Sequence, residues 1–374
     1  MKPSAIISLA CVLLFLLNVP RVESSRPQGL GAGHHAPGQG HHPGHDGGHQ
    51  NDQPDPDYNG YSFYVFGDSF ADNGNLLKKY PNSELTRQWY PPYQASGRFS
   101  NLLVQSDFIA MLLGQPASPP AHRQTRGVGP VGMNFAAGGS GVYDVPGTPT
   151  LARQVHTFNK LVKDGDIKQE HLDGQSLALI AVDGNDYARV RANASSLADI
   201  ESFVETVVEE IEANVVRLQN IGVKKVLVNN LFPLGCAPSL TRRTGYSGCD
   251  EEANQDAALH NHLLFNQLTF SRINGMDGVL LLDLDAAFSR IVGPSPDADM
   301  VNLFPNRLVP CCDSWLYTAY CGQVDPDTDG PLYRVCDNPD SHFFWDEMNP
   351  TQVGWEAVMG QLEGPIREFL GLIT

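Results

Sequence analysis

Charge is scarce in this chain, and positive charge scarcer still. Of 374 residues only 18% are charged, and 25 Lys and Arg face 42 Asp and Glu, for a formal net charge of -17. An ordinary soluble domain carries roughly a quarter charged residues. Clustered Lys and Arg are what replace phosphate counterions, so the charge balance excludes a nucleic-acid partner and argues against docking on anionic lipid. Long apolar runs are missing too. The run from Ala5 to Val19 is shorter than the roughly 20 residues a membrane-spanning helix needs, and no later one reaches that length. There is no GxxxxGK[ST], which excludes a P-loop, and no GxSxG, which counts against the nucleophile elbow of the α/β-hydrolases. No pair of cysteines has CxxC spacing and no nearby HxxxH completes a zinc site, so no metal is expected. The stretch Gly127-Val128-Gly129-Pro130-Val131-Gly132 matches GxGxxG. A polar stretch precedes it and a glycine-rich loop follows, where a strand and a helix are required, so it is read as a chance match and no cofactor is expected.

What is present begins with a leader. Lys2, the apolar run and the small residues near Ser24 read as a secretory signal peptide over residues 1–24, which makes the mature protein extracellular. Its removal takes Lys2, Arg21 and Glu23 and leaves a net charge of -18. Cys11 leaves with it, and six cysteines remain: Cys236, Cys249, Cys311, Cys312, Cys321 and Cys336. An even number in an oxidising compartment predicts three disulfides, although six cysteines allow about 15 pairings. Cys236 with Cys249 is the most local pair, across a short loop containing Gly245 and Gly248; the partners among the other four stay open. The sequon Asn193-Ala194-Ser195 is a candidate glycosylation site. Residues 25–58 are a linker: residues 26–58 alone hold eight Gly, five Pro and six His, with almost nothing apolar to offset ordering entropy. Those histidines (His34, His35, His41, His42, His45, His49) are read as a solvated spacer rather than a loose metal site.

Residues 59–374 are read as one domain. Phe63 to Phe66, Leu177 to Val182, Val226 to Val228 and Val279 to Leu282 are continuous apolar runs, as strands buried on both faces of a parallel sheet should be. Between them the spacing of Ile200, Phe203, Val204, Val207, Val208, Ile211, Val215 and Leu218 predicts an amphipathic helix ending near Gly222. Further helices are predicted around Asn101 to Leu113, Glu252 to Ile273 and Thr351 to Leu370. This alternation predicts a three-layer α/β/α domain with its functional loops at the carboxyl ends of the strands.

Three segments then carry chemistry. Phe66-Gly67-Asp68-Ser69, directly after the first strand, puts a serine where a parallel sheet displays a nucleophile, although a serine after a strand is more often a helix cap. Asn134 to Gly141 offers bare backbone amides in a tight loop, as an oxyanion hole needs, or forms a plain glycine turn. Asp183-Gly184-Asn185-Asp186-Tyr187 follows the third predicted strand and brings the Asn185 amide toward the same crevice.

Together these segments resemble the plant secreted GDSL esterase/lipase family of the SGNH hydrolases, over nearly all of residues 61 to 370. Matches also include Ser96-Gly97-Arg98-Phe99-Ser100-Asn101, Pro233 to Pro238, Cys311-Cys312 and Phe344-Trp345-Asp346. The resemblance implies a flavodoxin-like parallel sheet, Ser69 as nucleophile, and an oxyanion hole from the Ser69 backbone amide, Gly139 and Asn185. It also implies acylation of the serine by an ester, then deacylation by water or an alcohol. The substrate would be a small-molecule ester, an acyl-lipid or an acylated glycan.

The chain departs from that family at two points. The family has Asp-x-x-His-Pro-Thr, whereas here the run is Asp346-Glu347-Met348-Asn349-Pro350-Thr351, so Asn349 stands where the general base belongs. An amide does not accept a proton near neutral pH; a histidine, with a pKa of ~6.5, does. Asp183 stands where the family usually has Gly, either opposing negative charge at the oxyanion site or facing solvent. Either a displaced base restores activity, with His342 nearest in sequence and His122, His156, His171, His260 and His262 more remote, or turnover is impaired. The opposing class is a non-catalytic lipid- or glycan-binding protein.

Overall fold

Seven residues, Tyr61–Gly67, form the central strand β1, and all seven are buried. Aromatic and β-branched side chains suit a strand covered on both faces. In the computed structural model, which describes residues 60–372 apart from 77–96, 126, 189–195, 274, 276, 315, 317, 318 and 329, β1 pairs in parallel with β2 (Gly132–Asn134) on one side and β3 (Gln175–Ala181) on the other. β4 (Lys225–Asn229) and β5 (Val279–Leu282) extend the sheet in the order β2-β1-β3-β4-β5. The leader, the linker with its six histidines and the Asn193 sequon lie outside the described residues.

This is the flavodoxin-like strand order, and its topological switch point lies where the chain leaves β1 on one side and β3 on the other. The loops after these two strands leave the carboxyl edge of the sheet side by side, where ligands of such sheets bind. The serine segment follows β1, and the Asp183 to Tyr187 segment follows β3.

Helices cover both faces. On one pack α1 (Gln105–Leu112), α5 (Leu284–Val292) and α6 (Gln352–Leu370); on the other α2 (Leu151–Asp164), α3 (Leu197–Ile221) and α4 (Glu251–Ile273). The α3 start is capped by Ser196, whose hydroxyl accepts the Asp199 N–H at 3.2 Å, and the helix stops at Gly222 with φ 123°. Thr351 caps α6 in the same way, accepting the Gly354 N–H at 3.0 Å. The layers, four of the five strands and the long helices are where the hydrophobic pattern puts them. The first helix is shorter than Asn101 to Leu113, because it begins only at Gln105. Sequence patterning misses β2, three residues inside a glycine-rich stretch, and it also misses α2 and α5.

Three disulfides are present: Cys236–Cys249, Cys311–Cys336 and Cys312–Cys321; the most local is Cys312–Cys321, with a sequence separation of 9, and not Cys236–Cys249, with 13. Cys311–Cys336 and Cys312–Cys321 flank a small antiparallel ribbon of β6 (Cys312–Ser314) and β7 (Tyr333–Val335) packed on Trp345. The Cys311 and Cys312 N–H groups donate to the carbonyls of Phe344 and Trp345 at 2.9 and 2.7 Å, so the cross-linked ribbon grips the chain just before Asp346. No helix among the described residues is long and apolar enough to cross a membrane.

Candidate active site

The chain leaves β1 through a single helical turn that starts at Asp68. Asp68 Oδ1 accepts the Phe70 N–H at 3.2 Å, and the Asp68 carbonyl accepts the N–H groups of Ala71 and Asp72. Ser69 therefore occupies the first position of the turn, where a backbone N–H has no partner within the turn. Neither that N–H nor the Ser69 hydroxyl bonds to a described residue. Asp72 fixes the far side, its carboxylate accepting four backbone N–H groups, from Gly74, Asn75, Leu76 and Gly138. Phe70 packs edge-on against Trp355 of α6, ring centroids 4.8 Å apart, which ties this turn to the helix that follows Asn349.

The loop after β2 supplies Gly139, at φ 76°, whose N–H is likewise unspent among the described residues. Gln154 of α2 holds this loop to the strand. Its Oε1 accepts the Gly67 N–H and its Nε2 donates to the Gly67 carbonyl, both at 2.8 Å, and Nε2 also reaches Ser140 Oγ at 3.2 Å. Asp186 fastens the other end by accepting the N–H groups of Val142 and Tyr143.

Asn185 joins the two loops. Its Nδ2 donates to Asp68 Oδ2 at 3.1 Å, to Asp183 Oδ1 at 2.9 Å and to the Ser140 carbonyl at 3.0 Å. Ser69, Gly139 and Asn185 are thus brought together, through the immediate chain neighbours of Ser69 and Gly139. In this arrangement the hydrogens of the Asn185 amide are spent inside the protein. Asp183 does not face solvent: it is 5% exposed and its N–H donates to Asp68 Oδ2 at 2.6 Å.

The Asp346–Asn349 turn closes on itself. Asp346 Oδ1 accepts the N–H groups of Met348 and Asn349 at 2.9 and 2.8 Å, and the Asn349 Nδ2 donates to both Asp346 oxygens at 3.0 Å. The Asn349 Oδ1 is buried with no hydrogen-bond partner. The turn meets the β3 loop at Gly184, where a β-carbon would lie 3.4 Å from Met348 Cε.

No histidine among the described residues hydrogen-bonds to Ser69. His342 Nδ1 lies 3.1 Å from the Asn338 carbonyl, His122 stacks on Phe135, and His262 faces Asn266 on α4. His260 is fully buried against the Tyr187 hydroxyl at 2.7 Å, and burial pushes its pKa down to about 3. Sequence reasoning missed Gln154 and gave no role to Asp72 or Asp186, although both lie in the segments it singled out. Buried polar residues beside glycine-rich loops were the available signal, but one chain does not show which polar residue will be buried.

The acids of the site hold their protons unusually late. Burial raises Asp72 and Asp183 to about 6 and Glu347 to about 7; it raises Asp346 as well, and Asp68 well above the usual carboxylate range with help from the Asp183 charge. A carboxyl whose pKa is higher folded than unfolded binds more protons in the folded state between the two values. Its stabilising share is complete below the unfolded pKa of about 4 and is lost as the pH rises through the folded pKa. His260 works oppositely, losing its share as the pH falls below about 6.5. The thermal midpoint is therefore expected to fall between pH 7 and pH 8, where Glu347 still titrates and His260 has already regained its share. A midpoint that rises across that window in calorimetry would contradict this assignment.

A serine at the carboxyl end of the central strand, unspent amides in two adjoining loops and an acid-anchored turn before the last helix belong to the α/β SGNH hydrolase fold. The chain is a member of the family described as GDSL-like Lipase/Acylhydrolase, which matches residues 63–359. It is 35% identical over 312 residues to the Arabidopsis thaliana GDSL esterase/lipase At5g03610, covering 80% of this chain and 85% of that one. It is 34% identical over 316 residues to At3g09930 of the same plant, covering 80% and 86%. Among solved structures, a catalytic mutant of Axe2, an acetylxylan esterase from Geobacillus stearothermophilus, is similar at 11% identity with a TM-score of 0.37, covering 84% of this chain and 94% of that chain.

Proposed function

We propose that this protein is a secreted GDSL-type serine hydrolase or acyltransferase of carboxylic esters, and that its turnover is slow because Asn349 replaces the general base. The observation that carries the reading is the Asn349 amide itself, which donates to both oxygens of Asp346 and leaves only a neutral acceptor, Oδ1, buried without a partner. In the reaction the Ser69 oxygen bonds to the ester carbonyl carbon, the carbonyl oxygen gains negative charge against the N–H groups of Ser69 and Gly139, and the alcohol departs with a proton. A histidine would shuttle that proton. Here it passes through water, since an amide oxygen is too weak a base. Water or a second alcohol then releases the acyl group. The substrate is a small-molecule ester, an acyl-lipid or an acylated glycan. Three disulfides support an oxidising, extracellular compartment.

A second reading, a binding protein without turnover, draws on the same unpartnered Oδ1, which would accept a hydroxyl of a bound ligand. A serine-directed fluorophosphonate probe separates the two. Ser69 is expected to label slowly, and Ser69→Ala not at all. Labelling as fast as an ordinary serine esterase would mean that another base is present, and no Ser69-dependent labelling would leave the binding reading.

A further inference from the structure

Two carboxyl groups meet next to Ser69 with no basic side chain paired to either among the described residues. Asp68 is 0% exposed and Asp183 5%. The Asp183 N–H donates to Asp68 Oδ2 at 2.6 Å, and one amide nitrogen, Asn185 Nδ2, bonds to both carboxyls at 3.1 and 2.9 Å. No ion pair reaches either acid among the described residues. Besides Asp68, the charge that acts on Asp183 is that of Asp186, itself an acid, and the polar side chains of the adjoining segments, Ser69, Ser140 and Gln154, are neutral. On the far side of Gly184 lies Met348, whose turn carries a further acid, Asp346. Two carboxylates in one buried site cannot both ionise near neutral pH, and such a pair keeps one proton that belongs to both.

We propose that Asp68 and Asp183 form a one-proton pair that positions the Asn185 amide and holds the charge beside Ser69 at a single negative unit, and that loss of the shared proton at higher pH suppresses Ser69 reactivity. The proposal rests on the reading of Ser69 as nucleophile. Its physical ground is the charge that develops on the substrate oxygen during attack, at the N–H groups of Ser69 and Gly139. A second negative charge in the buried wall of that site opposes it, and more strongly than in water because little solvent screens it. Burial and the neighbouring charge raise both acids in agreement with the geometry. Asp183 touches no reacting atom and is a positioning residue. It also engages the hydrogens that Asn185 would otherwise offer to the substrate oxygen.

The test is the rate of fluorophosphonate labelling from pH 5 to pH 9 in the wild type, Asp183→Asn, Asp183→Gly and Ser69→Ala. With Asp183 neutralised, the site carries at most one negative charge at any pH. The ratio of the Asp183→Asn rate to the wild-type rate is expected near one at the acid end of the range and about tenfold or more at the alkaline end. A ratio that does not change with pH, with labelling still lost in Ser69→Ala, overturns the pair and leaves the serine reading intact. Labelling that survives Ser69→Ala overturns both. If Asp183→Asn does not fold, Asp183→Gly keeps the backbone N–H to Asp68 and is expected to give the same rise. An infrared difference spectrum at pH 7 adds a readout independent of labelling: a protonated-carboxyl band in the wild type is lost in Asp183→Asn, and its persistence overturns the proposal.

Discussion

Asn349→His is expected to raise hydrolysis of a short-chain test ester by ~10² or more, the lower range for a positioned general base. The turn that would receive the ring already exists. Asp346 is anchored by two backbone N–H groups and presents both oxygens to residue 349, so an imidazole Nδ1–H takes over the bond that the Asn349 Nδ2 now makes. The other ring nitrogen then faces where Oδ1 lies unpartnered. Asp346 also keeps the imidazolium that forms on proton transfer from being an isolated buried charge. The thermal midpoint should change little, because the bonds that hold the turn are from the backbone. Adding Ser69→Ala should abolish the gain, since nucleophile and base act as one unit. An unchanged rate in a folded Asn349→His protein would mean either that residue 349 does not face Ser69 or that another group already takes the proton, and the impaired-triad reading would be wrong.

The largest stability effect is expected at Gly67, the residue that carries the chain from β1 into the serine turn. Its φ is 132°, a conformation that an L side chain rarely adopts, and a β-carbon there would lie 1.8 Å from the Ala181 carbonyl oxygen of β3. That neighbour is backbone of a paired central strand and cannot rotate away. Gly67 also carries the two bonds to Gln154, which reaches Ser140 in the loop after β2. Gly67→Ala therefore combines a strained backbone, of order 1–3 kcal/mol, with an overlap that must part β1 from β3. The total is expected to exceed about 4 kcal/mol, enough to remove folded protein from expression. Gly165→Ala is the control. It ends α2 at φ 81° with nothing within 4 Å of a β-carbon, so it bears only the conformational cost of about 1 kcal/mol. If the two variants melt within a few degrees of each other, the close approach at Gly67 is not what its conformation serves.

Hydrophobic pattern determined a good deal on its own. Continuous apolar runs marked β1, β3, β4 and β5, because a strand covered on both faces has no polar side. The three- and four-residue spacing marked α3, because one face of a helix must meet the sheet. The amide at residue 349 was legible for the same kind of reason: an amide, unlike an imidazole, does not accept a proton near neutral pH. Only the tertiary structure decided what lies between distant segments. β2 is held by its pairing with β1, not by its own three residues. Gln154, 87 residues from Gly67 in the chain, is seated on the serine strand by two hydrogen bonds that no local pattern encodes. Asp183 read equally well as exposed or buried, and its place against Asp68, 115 residues away, is set by the parallel pairing of β1 with β3. Whether a carboxyl keeps its proton depends on the water it has lost and the charges beside it, and both are properties of the folded chain.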